Sequence, residues 1–243
     1  MIASTSPSPL LRRSPLEAGP TPERTFTVWG LQPLELHDHY WASLGVQVVR
    51  QGEPIQIVSD AELYLLTDPR SLIWFNMADV MEALNWIKPQ VLFVRLHDNR
   101  ERGYGEKAIT DTHGRFVRFQ RFYDASDDLR LARLVITPIR EIARLWQESP
   151  DVRTGWRRLR RYTPRHERLT LSVKGSVFDR TQDREISRFM RVLISTWRHP
   201  NSTIRRAGEL EPQVWVDPDT VADAESKFIA PVWVGAGRRI PAG

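Results

Sequence analysis

The chain contains no cysteine, so neither a disulfide framework nor a thiolate metal site contributes to it, and nothing favours an oxidising compartment. Long apolar runs are missing as well. The longest candidates, such as LVITPI, are short and flanked by arginine, far from the ~20 apolar residues of a membrane-spanning helix. The opening MIASTSPSPLLRRSPLEAGPTPER lacks the apolar centre of roughly 7–15 residues that a secretory signal requires. Rich in Ser, Pro and Arg, residues 1–24 read as a disordered leader. A cytoplasmic location is then the default expectation, with the inner face of the membrane as a variant of it. There is also no Walker loop, no GxSxG elbow and no HExxH pair, which removes the commonest signatures of phosphoryl transfer, acyl transfer and metal-assisted hydrolysis.

What is present suits a globular protein: 243 residues, 41% hydrophobic and 27% charged, enough for one main domain with an appendage. The net charge is +5, which permits phosphates, nucleic acid or anionic lipid as partners. Much of the excess is local, since Arg153 to Arg168 holds seven arginines against one glutamate.

Periodicity gives the order of elements. A helix is expected from Pro33 to about Gly45, strands at Val46–Arg50, Glu62–Thr67 and Ser71–Phe75, a helix at Ala78–Ile87 and a strand at Val91–Leu96. An antiparallel pair follows at Lys107–Thr110 and Arg115–Tyr123, then a strand at Leu131–Thr137 and helices to Gln147 and over Val152–Tyr162. Leu169–Val173 and Ser176–Phe178 read as a hairpin about Lys174-Gly175, and Gln182–Trp197 as the longest helix. The fold class is therefore α+β, a mixed sheet with covering helices, placed at 25–205 with a linker at 206–215.

Four stretches concentrate chemistry. His37 and His39 flank Asp38, but on a helix positions i and i+2 diverge and cannot share one ion, so no metal is expected there and no cofactor elsewhere. Arg95–Glu106 follows an apolar strand. Its Arg100 and Arg102 could hold a phosphate in bidentate fashion, while His97 or Asp98 handles protons. In WRRLRRY, Arg157, Arg160 and Arg161 fall at i, i+3 and i+4 on one helix, a pattern suited to a nucleotide diphosphate or an anionic membrane surface. No RNA-binding signature accompanies it, so nucleic acid is not an expected partner. Gly235–Pro241 is glycine-rich and basic, but it ends no nucleotide-binding strand and reads as a turn.

The last 28 residues divide into VDPDTV, ADAESK, FIAPVW, VGAGRR and IPAG. Val216, Ala222, Phe228, Val234 and Ile240 share one column, with Thr220, Ser226 and Val232 in another. A period of six belongs to a parallel β-helix rather than to an α-helix or a plain strand.

Val216–Gly243, above all APVWVGAGRRIPAG, resembles the opening coil of the left-handed β-helix in bacterial hexapeptide-repeat proteins, among them sugar acyltransferases and sugar-nucleotide pyrophosphorylases. The upstream LHDHYWASLGVQVVRQG, LYLLTDPRSLIWF and VLFVRLHDNRERGYGEKAITD resemble the leader of larger proteins in which such a β-helix accompanies a sugar transferase of polysaccharide assembly. The resemblance implies an accessory or leader module of nucleotide-sugar chemistry. Its partners would be a sugar transferase or downstream domain, or further copies assembled through the β-helix. The histidine that hexapeptide acyltransferases carry in their β-helix has no counterpart in 216–243. Two alternatives stand beside this expectation. One is a sugar-nucleotide-dependent transferase whose donor phosphates lie between the Arg95–Glu106 loop and the Arg157–Arg161 helix; the other is an adaptor for anionic membrane surfaces.

Overall fold

The computed structural model describes residues 28–97, 104–110, 116–123 and 133–241. The expected leader at 1–24, and Asp98, Arg100 and Arg102, lie outside them. Helix α1 (Pro33–Ala42) starts on its proline, where a missing N–H costs nothing, and the Gln32 N–H donates to the Glu35 carboxylate at 2.7 Å. Strands β1 (Val46–Arg50), β2 (Leu63–Thr67) and β3 (Ser71–Phe75) follow, then α2 (Ala78–Trp86) and β4 (Val91–His97). The excursion after β4 carries an antiparallel pair, β5 (Tyr104–Thr110) with β6 (Phe116–Tyr123). The chain returns through β7 (Arg133–Thr137), α3 (Arg140–Gln147), α4 (Val152–Tyr162), β8 (Arg168–Asp179) and α5 (Asp183–Thr196).

Six strands form one mixed sheet in the order β1-β2-β7-β4-β8-β3. β1 runs parallel to β2 and β4 parallel to β8, while β2–β7, β7–β4 and β8–β3 are antiparallel. Alternation along the strands divides the apolar residues between two cores. Val48, Leu65, Leu92, Val94 and Ile136 pack with Leu36 and Trp41 of α1, Val80 of α2 and Phe189 and Leu193 of α5. On the opposite face Leu66, Val91, Phe93 and Val135 pack with Ile142 and Trp146 of α3 and Leu159 of α4. The result is an α+β fold with helices on both faces of a mixed sheet.

The expected hairpin at 169–178 is instead a single strand. Gly175 does not turn the chain; it lets β8 pass close to its neighbours. A Cβ there would stand 2.7 Å from the Trp74 carbonyl oxygen, 2.8 Å from Phe75 Cβ and 2.9 Å from Leu96 Cδ2. Gly155 plays the same role between helices, where a Cβ would meet the buried Trp146 ring at 2.8 Å. This close crossing holds α4 against α3.

The segment read as a linker, 206–215, contains strand β9 (Gly208–Glu211) and most of β10 (Val214–Val216), paired antiparallel. Beyond them lie β11 (Val221–Ala222), β12 (Val232–Val234) and β13 (Arg239–Ile240). β10 pairs in parallel with β12, Val214 opposite Val232, and β11 with β13, Val221 opposite Arg239. Both offsets are eighteen residues, three hexads, so Val216 faces Val234 and Ala222 faces Ile240 as the sequence column requires. Gly235–Arg238 is the turn between β12 and β13. The tail is seated on the main domain by Trp233, whose ring lies 4.9 Å from Trp29 and 5.8 Å from Trp197, and by buried Trp215. Arg206 donates twice to the buried carboxylate of Asp217, at 2.9 and 2.7 Å, fixing the entrance to the tail.

Candidate functional site

Along β4 the side chains of Phe93, Arg95 and His97 alternate with buried Leu92, Val94 and Leu96. Helices α3 and α4 cover Val91 and Phe93, but Arg95 and His97 are exposed. Register aligns neighbours with them: Arg133 of β7 and Ser172 of β8 lie opposite Arg95, Thr170 opposite Phe93, and Lys174 opposite His97. Where the helices end, the sheet face therefore turns polar and basic.

At that boundary is a cleft of about 170 Å³. Arg95, Arg133, Arg160 and Arg168 line it, contributed by β4, β7, α4 and β8, with Phe93, Trp156 and Thr170 between them. Trp156 lies 5.4 Å from Phe93 and 5.6 Å from Trp146. Anchored this way, Trp156 sets the inner turn of α4, and one turn on Arg160 holds its guanidinium 5.8 Å from the Phe93 ring centre. Arg168 is steadied by its Nε–H, which donates to the Pro164 carbonyl at 3.2 Å. None of the four guanidinium groups is ion-paired to a carboxylate of the described residues. Two of them, Arg95 and Arg133, stand directly opposite each other across strands, where like charges repel. A guanidinium offers N–H donors and no acceptor, so these groups are suited to bind and orient an anion.

Of the residues singled out in the sequence, Arg160 and Arg95, the first residue of the suspected loop, both line this cleft. Arg157 and Arg161 are exposed on α4 and do not line it. His97 is exposed at the end of β4, two residues past Arg95 on the same face. Asp98, Arg100 and Arg102 fall outside the described residues. Arg133 was missed because it is a single arginine at the start of a strand, and Arg168 was counted in the basic run Arg153–Arg168 but not recognised as a cleft residue. Only the strand order, which the sequence does not carry, brings them to β4.

The His37-Asp38-His39 cluster has another role. His37 is fully buried and His39 partly so, and their directions diverge. His37 Nε2 accepts from the Ile73 N–H at 2.9 Å, and its Nδ1 faces Asp38 and Arg50. Buried Arg50 binds both Asp38 oxygens, at 2.6 and 3.1 Å, tying α1 to β1. Among the described residues no group of three or more His, Asp or Glu side chains is placed to hold a metal.

Burial pushes the His37 pKa below its ordinary value. For Asp38, burial works upward, but hydrogen bonds from His37 and Arg50 outweigh it and hold the carboxyl below the usual range. Hydrogen bonds from Arg206 do the same for Asp217. All three groups bind protons more weakly folded than unfolded, so stability falls with pH. The loss from His37 starts as pH drops through about 6.5 and that from the aspartates below about 4. Urea titrations at pH 7, 6 and 5 are expected to give a falling midpoint, with a shallower fall in His37→Gln.

No family model matches this chain, and no curated protein does. Among solved structures, 4-diphosphocytidyl-2C-methyl-D-erythritol synthase from Anaerococcus prevotii is similar over 69% of this chain and 91% of that one, at 14% identity and a TM-score of 0.35. At that score the likeness carries no conclusion about the arginine cleft. No helix of the described residues is long and apolar enough to cross a membrane.

Proposed function

We propose that this protein is a diphosphate-binding accessory module of a sugar-transfer system, holding a nucleotide sugar in the arginine cleft. The observation that carries this reading is the facing pair Arg95 and Arg133, exposed, without a described carboxylate partner, and joined in one cleft by Arg160 and Arg168. A diphosphate relieves their repulsion and accepts paired N–H donors from planar guanidinium groups. Phe93 and Trp156 supply apolar ring surface at the same place, suited to a nucleobase. The four arginines bind and orient the diphosphate, and in this reading the transfer chemistry belongs to a partner domain or protein.

The tail fits this reading. Two parallel pairings at an offset of three hexads support reading 214–241 as the first coil of a left-handed β-helix of the hexapeptide type.

A thermal-shift screen with UDP-, CDP- and GDP-sugars tests the cleft. A ligand at 100 times its dissociation constant adds about 2.7 kcal/mol of stability, a saturable rise in Tm that Arg160→Ala is expected to abolish. No shift with any diphosphate would overturn the reading. Arg133→Thr separates function from folding: removing one of two facing like charges is expected to stabilise the free protein by roughly 0.2–1 kcal/mol, while weakening diphosphate binding about tenfold. Urea titration and calorimetry on the one variant check both.

A further inference from the structure

The basic surface does not end at the cleft. One row beyond Arg95, on the same face, His97 lies opposite Lys174, with Ser172 between Lys174 and the cleft residue Thr170. Thr170, Ser172 and Lys174 alternate with the inward-facing Leu169, Leu171 and Val173 of β8. Consequently Arg168, Thr170, Ser172 and Lys174 form a single polar line along one strand. At ~3.3 Å per residue this line runs about 20 Å, and Lys174 lies about 7 Å past the Arg95–Ser172 row. That length exceeds what a diphosphate alone occupies.

The line has a direction. Its inner end, under α4, holds Phe93 and Trp156, and its outer end holds a hydroxyl, an imidazole and an ammonium group, all exposed. A ligand with a flat apolar head at one end and a diphosphate in the middle would place its third group over Ser172, His97 and Lys174. Lys174 forms no ion pair with a carboxylate of the described residues.

We infer that the Ser172–His97–Lys174 row is the subsite for the sugar of the bound nucleotide sugar, and that it selects a sugar bearing a negative charge, of the hexuronate class. The inference rests on the diphosphate reading of the cleft. Ser172 meets ring hydroxyls, and Lys174 supplies a point charge for the carboxylate, which a neutral hexose leaves unmatched.

Calorimetry with UDP-glucuronate, UDP-glucose and UDP on the full chain tests it. UDP-glucuronate is expected to bind about tenfold tighter than UDP-glucose, the worth of one charge-assisted contact at an exposed site. Lys174→Gln should remove that difference and leave UDP binding unchanged. Lys174 is exposed and contributes to neither core, so the variant is expected to fold as the parent does. Equal affinity for the two sugars, with UDP still bound, would overturn the subsite and leave the cleft standing. A preference for glucuronate that survives in Lys174→Gln would also overturn it. If none of the three binds, the cleft reading fails and the subsite with it.

Discussion

Replacing Arg95 and Arg160 together by alanine is expected to lower affinity for a nucleoside diphosphate by at least a hundredfold while leaving the fold intact. Each guanidinium contributes a charged hydrogen-bonding group worth roughly 1.5–3 kcal/mol to an anion, and two such losses exceed the ~2.7 kcal/mol that separates a hundredfold change in affinity. Both side chains are exposed at the cleft and neither belongs to a hydrophobic core, so folding should survive their loss. The single variants should each lose about tenfold, and their combination tests additivity across one ligand. In the parent, raising salt from 0.05 to 0.5 M should weaken binding as ions screen the site. Calorimetric titration of UDP into parent and double variant is the measurement. Unchanged affinity in the double variant would remove the cleft from any account of function.

A second large effect is expected at Gly175. Alanine there would place Cβ against backbone as well as side chain, 2.7 Å from the Trp74 carbonyl oxygen and 2.8 Å from Phe75 Cβ. Backbone oxygen in a paired strand cannot rotate aside as a flexible side chain would. The strain can be relieved only by moving β3 and β8 apart, which disturbs their register at Phe75–Gly175 and Trp74–Ser176. Overpacking costs of 1–3 kcal/mol are usual, and this position belongs at the upper end. For a chain of this size ~3 kcal/mol lowers Tm by about 6–12 °C. Gly175→Val, with two more carbons at the same place, is expected to give no soluble folded protein. Circular dichroism melts of parent and Gly175→Ala decide the matter, and an unchanged Tm would contradict the close approach.

Gly175 also shows where sequence reasoning reached its limit. Glycine after lysine between two short apolar runs has the composition of a turn, but the same residue serves when two backbones come too close for a Cβ. Only the partner strand distinguishes the two, and β3 is a hundred residues away. Locally encoded elements were legible to within a few residues: Val46–Arg50, Ser71–Phe75 and Val152–Tyr162 have the predicted bounds. Of the six-residue column, the structure pairs Val216 with Val234 and Ala222 with Ile240, while Phe228 lies in no strand. The cleft was legible in part. Local density drew attention to Arg157, Arg160 and Arg161, whereas the cleft draws one arginine from each of four elements. The alternation in VLFVRLH did place Arg95 and His97 beside Phe93, and that was the available signal. Which strands flank β4 depends on packing of both sheet faces at once, and no local pattern states it.

The strand order also bears on how the chain is made. Among the described residues β3 pairs with β8 alone, and Phe75 waits for Gly175. At synthesis rates of about 5–20 residues per second, that is a delay of roughly 5–20 seconds, during which Leu72, Ile73 and Phe75 have no strand beside them. β4 is in the same position, since both of its neighbours, β7 and β8, come later in the sequence. β7 can join β2 to β4 first, but the sheet is completed only when β8 leaves the ribosome and links β4 to β3, and the tail can dock through Trp233 only after that. A nascent chain halted before residue 168 would expose the sticky edge that the finished protein hides, so holdase chaperones should favour chains of that length over longer ones.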